Sequence, residues 1–263
     1  MKKSPNVITL TAPAVVVGNV QGQYDDLLEI FTKASFPPEG QYLFLGDFIN
    51  RGKQSVEVLT LLLLLKLRHP ARVHLLRGHH EAHQMMSVYG ALDELAAKYA
   101  DAHRALVPCI VEVFDALPLA AVVECQGKRF FAVHGGLSPE VRFIAEVDAL
   151  DRVKVEEYGP VVDLLWSDPE EIDEAWSAGS RRCGGFAFGE KAVDGFLRDN
   201  GLDKILRSHQ LVMEGFQCFF DGKVTTLWSA SEYMGRINNL GAFLEIDAKG
   251  QETYNTFSLK RLA

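Results

Sequence analysis

The sequence predicts an α/β fold, a two-sheet β-sandwich flanked by helices. Three observations predict it. Short apolar runs alternate with helical segments through the first half of the chain, in a β-α-β-α-β order that implies a largely parallel sheet covered by helices. Short strand-like runs then cluster late in the chain, which predicts a second, more antiparallel sheet. Glycine-flanked polar loops follow five of the apolar runs, as at the carboxyl edge of an open α/β sheet.

The elements follow in order. Ala14-Val15-Val16-Val17 is a short buried strand closed by Gly18. Asp25 to Ala34 carries Leu27, Leu28 and Phe31 at helical spacing. Tyr42 to Leu45 is a second buried strand, closed by Gly46. Ser55 to Leu67 is a strongly apolar helix ended by His69-Pro70, because a proline disfavours helical backbone in the residue before it. Val73 to Leu76 is a third strand, followed by Arg77-Gly78. Residues 88–118 read mainly as helix. Further strands are predicted at Leu119–Glu124, Arg129–Val133, Ile205–Arg207, Val224–Trp228 and Ala242–Ile246. No repeat, low-complexity stretch or proline-rich linker divides the 263 residues, so one domain over 1–263 is expected.

Composition narrows the function classes. The chain is 48% hydrophobic and 24% charged, ordinary for a soluble globular protein. Its formal charge of -8 argues against non-specific nucleic-acid binding, which rests on Lys and Arg neutralising phosphates. The start, MKKSPNVITL, lacks the apolar run of a secretory signal. The run Leu61 to Leu65, ended by Lys66, is far short of the ~20 residues of a membrane helix. Cys109, Cys125, Cys183 and Cys218 form no CxxC pair and read as reduced, buried thiols of a cytoplasmic or nuclear protein.

The five polar loops are Gly18-Asn19-Val20-Gln21-Gly22, Gly46 to Gly52, Gly78-His79-His80-Glu81, His134-Gly135-Gly136 and Ser208-His209-Gln210. Glycine lets loop backbone bend tightly and approach a ligand, so five such loops at strand ends suggest one shared site. Any one alone is weak, since a lone Asp after a strand is more often a turn former.

GDFINRGKQSVEVLTLLLLLKLRHPARVHLLRGHHEAHQMMSVYG resembles the core signature of the serine/threonine phosphoprotein phosphatases of type 1, type 2A and calcineurin, whose motifs read GDxHG, GDxxDRG and GNHE. AVHGGLSPE, DLLWSDP, FAFG, SHQLVMEGF and WSASEYM extend the resemblance from about Val15 to about Phe257, and SHQLVMEGF is closest to the type 2A-like branch. The helical segment that precedes the first motif in those enzymes is largely absent from this sequence. The resemblance implies the calcineurin-like metallophosphoesterase fold. It also implies a binuclear metal centre that activates water for in-line attack on phosphorus, arginines that neutralise charge, and a histidine that protonates the leaving oxygen.

This chain departs from that pattern at four positions. Asn19 and Gln21 stand where the family has the Asp and His of one metal, leaving only Asp47, the family's bridging ligand. Asn50 replaces the aspartate that orients the catalytic histidine, matched by His80. Asn50 is expected to accept a hydrogen bond from His80 without stabilising its imidazolium, which lowers the His80 pKa. His79 replaces an asparagine ligand, so Asp47, His79, His134 and His209 together make a three-His, one-carboxylate set suited to one divalent transition metal, zinc, manganese or iron. Retention of that single ion and an empty site stay open at this point. A binuclear centre is not expected.

Other positions are kept. Arg51 and Arg182 match the arginines that grip substrate phosphate, and Tyr233 matches the family's active-site tyrosine, preceded here by Glu232, which adds negative charge near the mouth. Trp166 reads as core. Two functions follow. One is a pseudophosphatase, a phosphatase fold kept as a binding or regulatory module with protein or phosphoprotein partners. The other is an active metal-dependent phosphoserine/phosphothreonine phosphatase with a reorganised, single-metal site.

Overall fold

The computed structural model describes residues 5–153, 157–178 and 184–259. Strands β1 (Val7–Thr11) and β2 (Ala14–Val17) lead into helix α1 (Tyr24–Ala34). Leu27, Ile30, Phe31 and Ala34 are its buried face, at the three- and four-residue spacing of a helix stripe. Strand β3 (Tyr42–Phe44) follows, then α2 (Ser55–Arg68) and β4 (Val73–Leu75). The predicted helix over 88–118 is three helices that begin earlier: α3 (His83–Tyr89), α4 (Ala91–Tyr99) and α5 (His103–Ala116). Glu94 on α4 accepts the Ser55 and Val56 amides, both at 2.9 Å, and so caps the start of α2 from a neighbouring helix.

The chain continues through β5 (Ala120–Cys125), β6 (Lys128–Val133), α6 (Ile144–Asp148), α7 (Pro160–Trp166), β7 (Asp168–Pro169), β8 (Trp176–Ala178) and β9 (Phe186–Phe188). It ends through α8 (Glu190–Asn200), β10 (Lys204–Arg207), β11 (Phe216–Phe219), β12 (Val224–Leu227), β13 (Gly241–Ile246) and β14 (Glu252–Phe257).

Two large sheets form, in the orders β14-β13-β2-β3-β4 and β1-β5-β6-β10-β12-β11, with a small third sheet β7-β9-β8. The expected division by sequence half does not hold. The late strand β13 pairs antiparallel with β2 and carries β14 into the first sheet, while the early strand β1 pairs parallel with β5 in the second. Both sheets are mixed, so the second is not the antiparallel partner of a parallel first.

Side-chain alternation shows why the sheets stack. Val16, Leu43 and Leu244 share one cluster with Val123, Phe130, Ala132, Leu206 and Leu227 of the other sheet. Their neighbours Val15, Val17, Tyr42 and Phe44 point the other way, into a core with α1 and α2. Phe131, Val133 and Ile205 point outward from the second sheet onto α7 and α8. Each central strand is buried on both faces, which is why the runs read as continuously apolar. The cysteine expectation is corrected in part. Cys109 and Cys218 are exposed and Cys125 half-buried, and Cys183 lies outside the described residues. Cys218 is on β11, an edge strand with one uncovered side.

Candidate metal and phosphate site

All five polar loops meet at one place, where the strand ends of the two sheets converge. A parallel bridge between Asn19 and Trp228 and the bond from Ser208 N–H to His134 O, 3.0 Å, join loops of different strands. The loops after β3 and β4 touch backbone to backbone. A Cβ on Gly78 would lie 2.4 Å from the Asp47 amide, so only glycine allows this approach. Gln21, Asp47, Asn50, Arg51 and His209 all have left-handed backbone, with φ from 52° to 75°. Non-glycine residues rarely adopt this conformation, and its concentration in these loops marks a site held by its surroundings.

Asp47, His79, His134 and His209 are all buried, and each offers a ligand atom within 4.8 Å of the others. His79 Nδ1 is 3.0 Å from His134 Nε2 and 3.0 Å from His209 Nδ1, and His209 Nδ1 is 3.3 Å from His134 Nε2. Asp47 lies 3.2 Å from His79 Nδ1 through Oδ2 and 3.3 Å from His134 Nε2 through Oδ1. His134 Nδ1 donates to the Leu45 carbonyl at 2.8 Å, so in the neutral ring Nε2 turns a lone pair toward the cluster. Acceptor atoms crowded this closely repel one another unless protons or a cation lie among them. For an ion with ligand bonds of roughly 2.0–2.1 Å, a tetrahedron has edges of about 3.3–3.4 Å. The spacing and the donor chemistry therefore fit one divalent ion. His79, longer than the asparagine the family has there, reaches the other ligand atoms at these distances.

Of the remaining predicted positions, Asn19, Gln21, Tyr233 and Arg51 are also brought here. The Asn19 Nδ2 and Gln21 Nε2 amides donate to Asp47 Oδ2 at 2.7 and 3.0 Å. Tyr233 O–H donates to Gln21 Oε1 at 3.2 Å. Arg51 is exposed and lays its guanidinium 3.9 Å from the centre of the Tyr89 ring, which in turn stands 5.0 Å from the His80 ring. Arg182, expected to face phosphate, lies outside the described residues. Glu232 accepts the Ser258 hydroxyl at 3.2 Å.

The expected direction of the Asn50 bond is reversed. Asn50 Oδ1 accepts the Ala91 amide at 3.1 Å, which turns Nδ2 toward His80 Nδ1 at 2.8 Å. Asn50 thus donates to His80 instead of accepting from it, and in the neutral ring the His80 hydrogen sits on Nε2.

Several residues went unrecognised in the sequence. Glu81 accepts the amides of Asp47, Phe48 and Gly78 at 2.7, 2.9 and 2.9 Å and so ties the two central loops together. Burial and the neighbouring Asp47 carboxylate raise its pKa against those donors. Burial also pushes Asp47 up, but the facing His134, His79 and His80 outweigh it and hold Asp47 below the usual carboxylate range. Fully buried Arg207 pairs with Asp168 at 2.8 Å and reaches Gln210 at 2.7 Å, steadying the loop that carries His209. Trp166 is not plain core. It is half-buried, with its ring 4.2 Å from that of His79 and 5.6 Å from that of His209, and it walls the cluster.

The calcineurin-like phosphoesterase family profile matches residues 12–213. The chain is 45% identical over 253 residues to the serine/threonine-protein phosphatase 4 catalytic subunit of Kluyveromyces lactis, across 96% of this chain and 80% of that protein. It is 42% identical over 266 residues to the serine/threonine-protein phosphatase PP2A-like PPG1 of Saccharomyces cerevisiae, across 97% of this chain and 71% of that protein. A solved Saccharomyces cerevisiae protein serine/threonine phosphatase, described as similar to human phosphatase PP5, matches with a TM-score of 0.88 at 32% identity, covering 99% of this chain and 86% of that one. A cold-active protein-tyrosine phosphatase of a Shewanella species matches with a TM-score of 0.67 at 19% identity, over 95% of this chain and 82% of that one, a likeness of fold alone.

Proposed function

We propose that this chain, which belongs to the calcineurin-like phosphoesterase family, is a metal-dependent phosphoserine/phosphothreonine phosphatase that works from a reorganised, one-ion site. The observation that carries the reading is the buried set of Asp47, His79, His134 and His209, whose ligand atoms all lie within 4.8 Å of one another, the three imidazole nitrogens 3.0–3.3 Å apart. Zinc, manganese and iron are the candidate ions by donor type. A bound divalent ion would supply Lewis-acid stabilisation of phosphate oxygens and a more acidic water.

The chain's own residues supply the rest. Arg51, held against Tyr89, places a guanidinium at the rim for phosphate oxygens. His80 offers Nε2–H as a donor to a developing oxyanion while Asn50 fixes its ring. Tyr233 steadies Gln21 from the opposite side. Arg182 is proposed as the second phosphate arginine on the resemblance alone. The Kluyveromyces relative carries the name of a catalytic subunit, and we propose protein partners and phosphoprotein substrates for this chain too. No described helix is long and apolar enough to cross a membrane.

The second reading is the pseudophosphatase, and Asn19 and Gln21 favour it, because they set two amides against Asp47 where the resemblance implies an Asp and a His as metal ligands. Phosphate release from a phosphothreonine peptide separates the two. The phosphatase reading expects turnover that chelation removes, that zinc or manganese restores, and that His79→Ala abolishes. Ion bound at the site with no phosphate released would leave the binding-module reading in its place.

A further inference from the structure

The two amides beside Asp47 make a closed arrangement. Asn19 cannot turn over, because its Oδ1 accepts the His209 amide at 2.9 Å and also contacts the Ser208 hydroxyl. Gln21 is oriented in the same way by the Tyr233 hydroxyl on its Oε1. Both NH₂ groups therefore face Asp47 Oδ2, at 2.7 and 3.0 Å. A carboxylate oxygen has two lone-pair directions, and these two donors sit on Oδ2, which His79 Nδ1 also approaches at 3.2 Å. On Oδ1 one direction is taken by the His80 amide at 2.9 Å, and one is left on the side of His134, 3.3 Å away.

We infer that Asn19 and Gln21 act as a built-in substitute for a second cation, so that Asp47 is restricted to one ion of tetrahedral preference, with zinc as its chemical type. Two amide donors give the inner carboxylate oxygen the positive partners that burial demands, without a metal. The three imidazoles then complete an N₃O set, which suits a borderline ion with no demand for octahedral oxygen ligands and does not suit magnesium. Random loss of ligands would not leave each replacement amide oriented by its own acceptor contacts. Here every carbonyl and NH₂ of the pair has a partner, as buried polar groups require.

The inference rests on the reading that Asp47, His79, His134 and His209 hold an ion, and its test does not depend on turnover. Chelator-stripped protein is titrated with zinc, and bound metal per chain is measured after gel filtration. Cobalt is then substituted and its visible absorption recorded, since tetrahedral cobalt absorbs far more strongly than octahedral cobalt. One ion per chain with the strong cobalt bands is expected. Asn19→Asp combined with Gln21→His is expected to take up a second ion, because it removes both amide donors and adds a carboxylate and an imidazole. Gln21→His alone, which keeps the Asn19 contacts, is read in the same way if the double variant does not fold. Two ions or none on the unaltered protein overturn the inference, as does weak octahedral cobalt absorption. A folded Gln21→His or double variant that still binds one ion also overturns it. One tetrahedral ion with no phosphatase turnover would overturn the proposed activity and leave this inference standing.

Discussion

Asn50 shows how one atom's difference redirects a site. An aspartate at this position would accept both the Ala91 amide and a hydrogen from His80 Nδ1. Asn50 has one acceptor, already given to Ala91, and so it must donate to the ring. Asn50→Asp is therefore expected to move the His80 hydrogen to Nδ1 and allow a stabilised imidazolium. Turnover of a phosphoserine peptide should rise ~10-fold, below the low end of what a positioned acid contributes. An unchanged kcat with intact metal content would remove His80 from the proton path. The identity of Asn50 and its pairing with His80 were legible in the sequence. The direction of the bond was not, because it is decided by a backbone amide 41 residues away that no local pattern reports. Trp166 escaped for a similar reason. An aromatic residue between leucines and a serine looks like core until the strand ends bring His79 against it.

Among the elements, α7 carries a buried acid the chemistry does not use. Asp163 is 2% exposed and accepts the Ser138 hydroxyl at 2.6 Å. Burial pushes its carboxyl up to about 6, against the Ser138 bond and with the help of Glu140. Unfolded, the same group titrates near 3.9. Between about pH 4 and 6 the folded chain thus holds more protons than the unfolded one, and stability falls as pH rises through that window. Asp163→Asn, which keeps an acceptor for Ser138, should be more stable than the parent at pH 7 by roughly 1–3 kcal/mol. The gain should vanish near pH 4. Urea melts at the two pH values check this, and an equal gain at both would contradict it. The central strands and α1, α2 were readable because apolar runs and helical stripes are local signals. Sheet membership was not. Nothing in Gly241–Ile246 itself says that it lies beside β2 instead of continuing the second sheet, because pairing is set by contacts more than 200 residues apart.

At the scale of the whole molecule, two mixed sheets stacked face to face bring five loops from both halves of the chain to one edge. The framework around the site is dense. Glu81 binds three amides of the central loops, and Arg207 ties β10 to Asp168 and Gln210. Within that framework the proposed chemistry rests on one ion and two amides, where the family resemblance implies a pair of cations. The clustering of altered residues was visible in the sequence, but whether they formed damage or a rebuilt centre depended on distances. The most direct test of a working one-ion site is phosphate release from a phosphothreonine peptide, followed as zinc is added to stripped protein from zero to two equivalents. The account predicts activity that rises in proportion to zinc and breaks to a plateau at one equivalent per chain. Activity that stays at baseline throughout, or that breaks only at two equivalents, would contradict it.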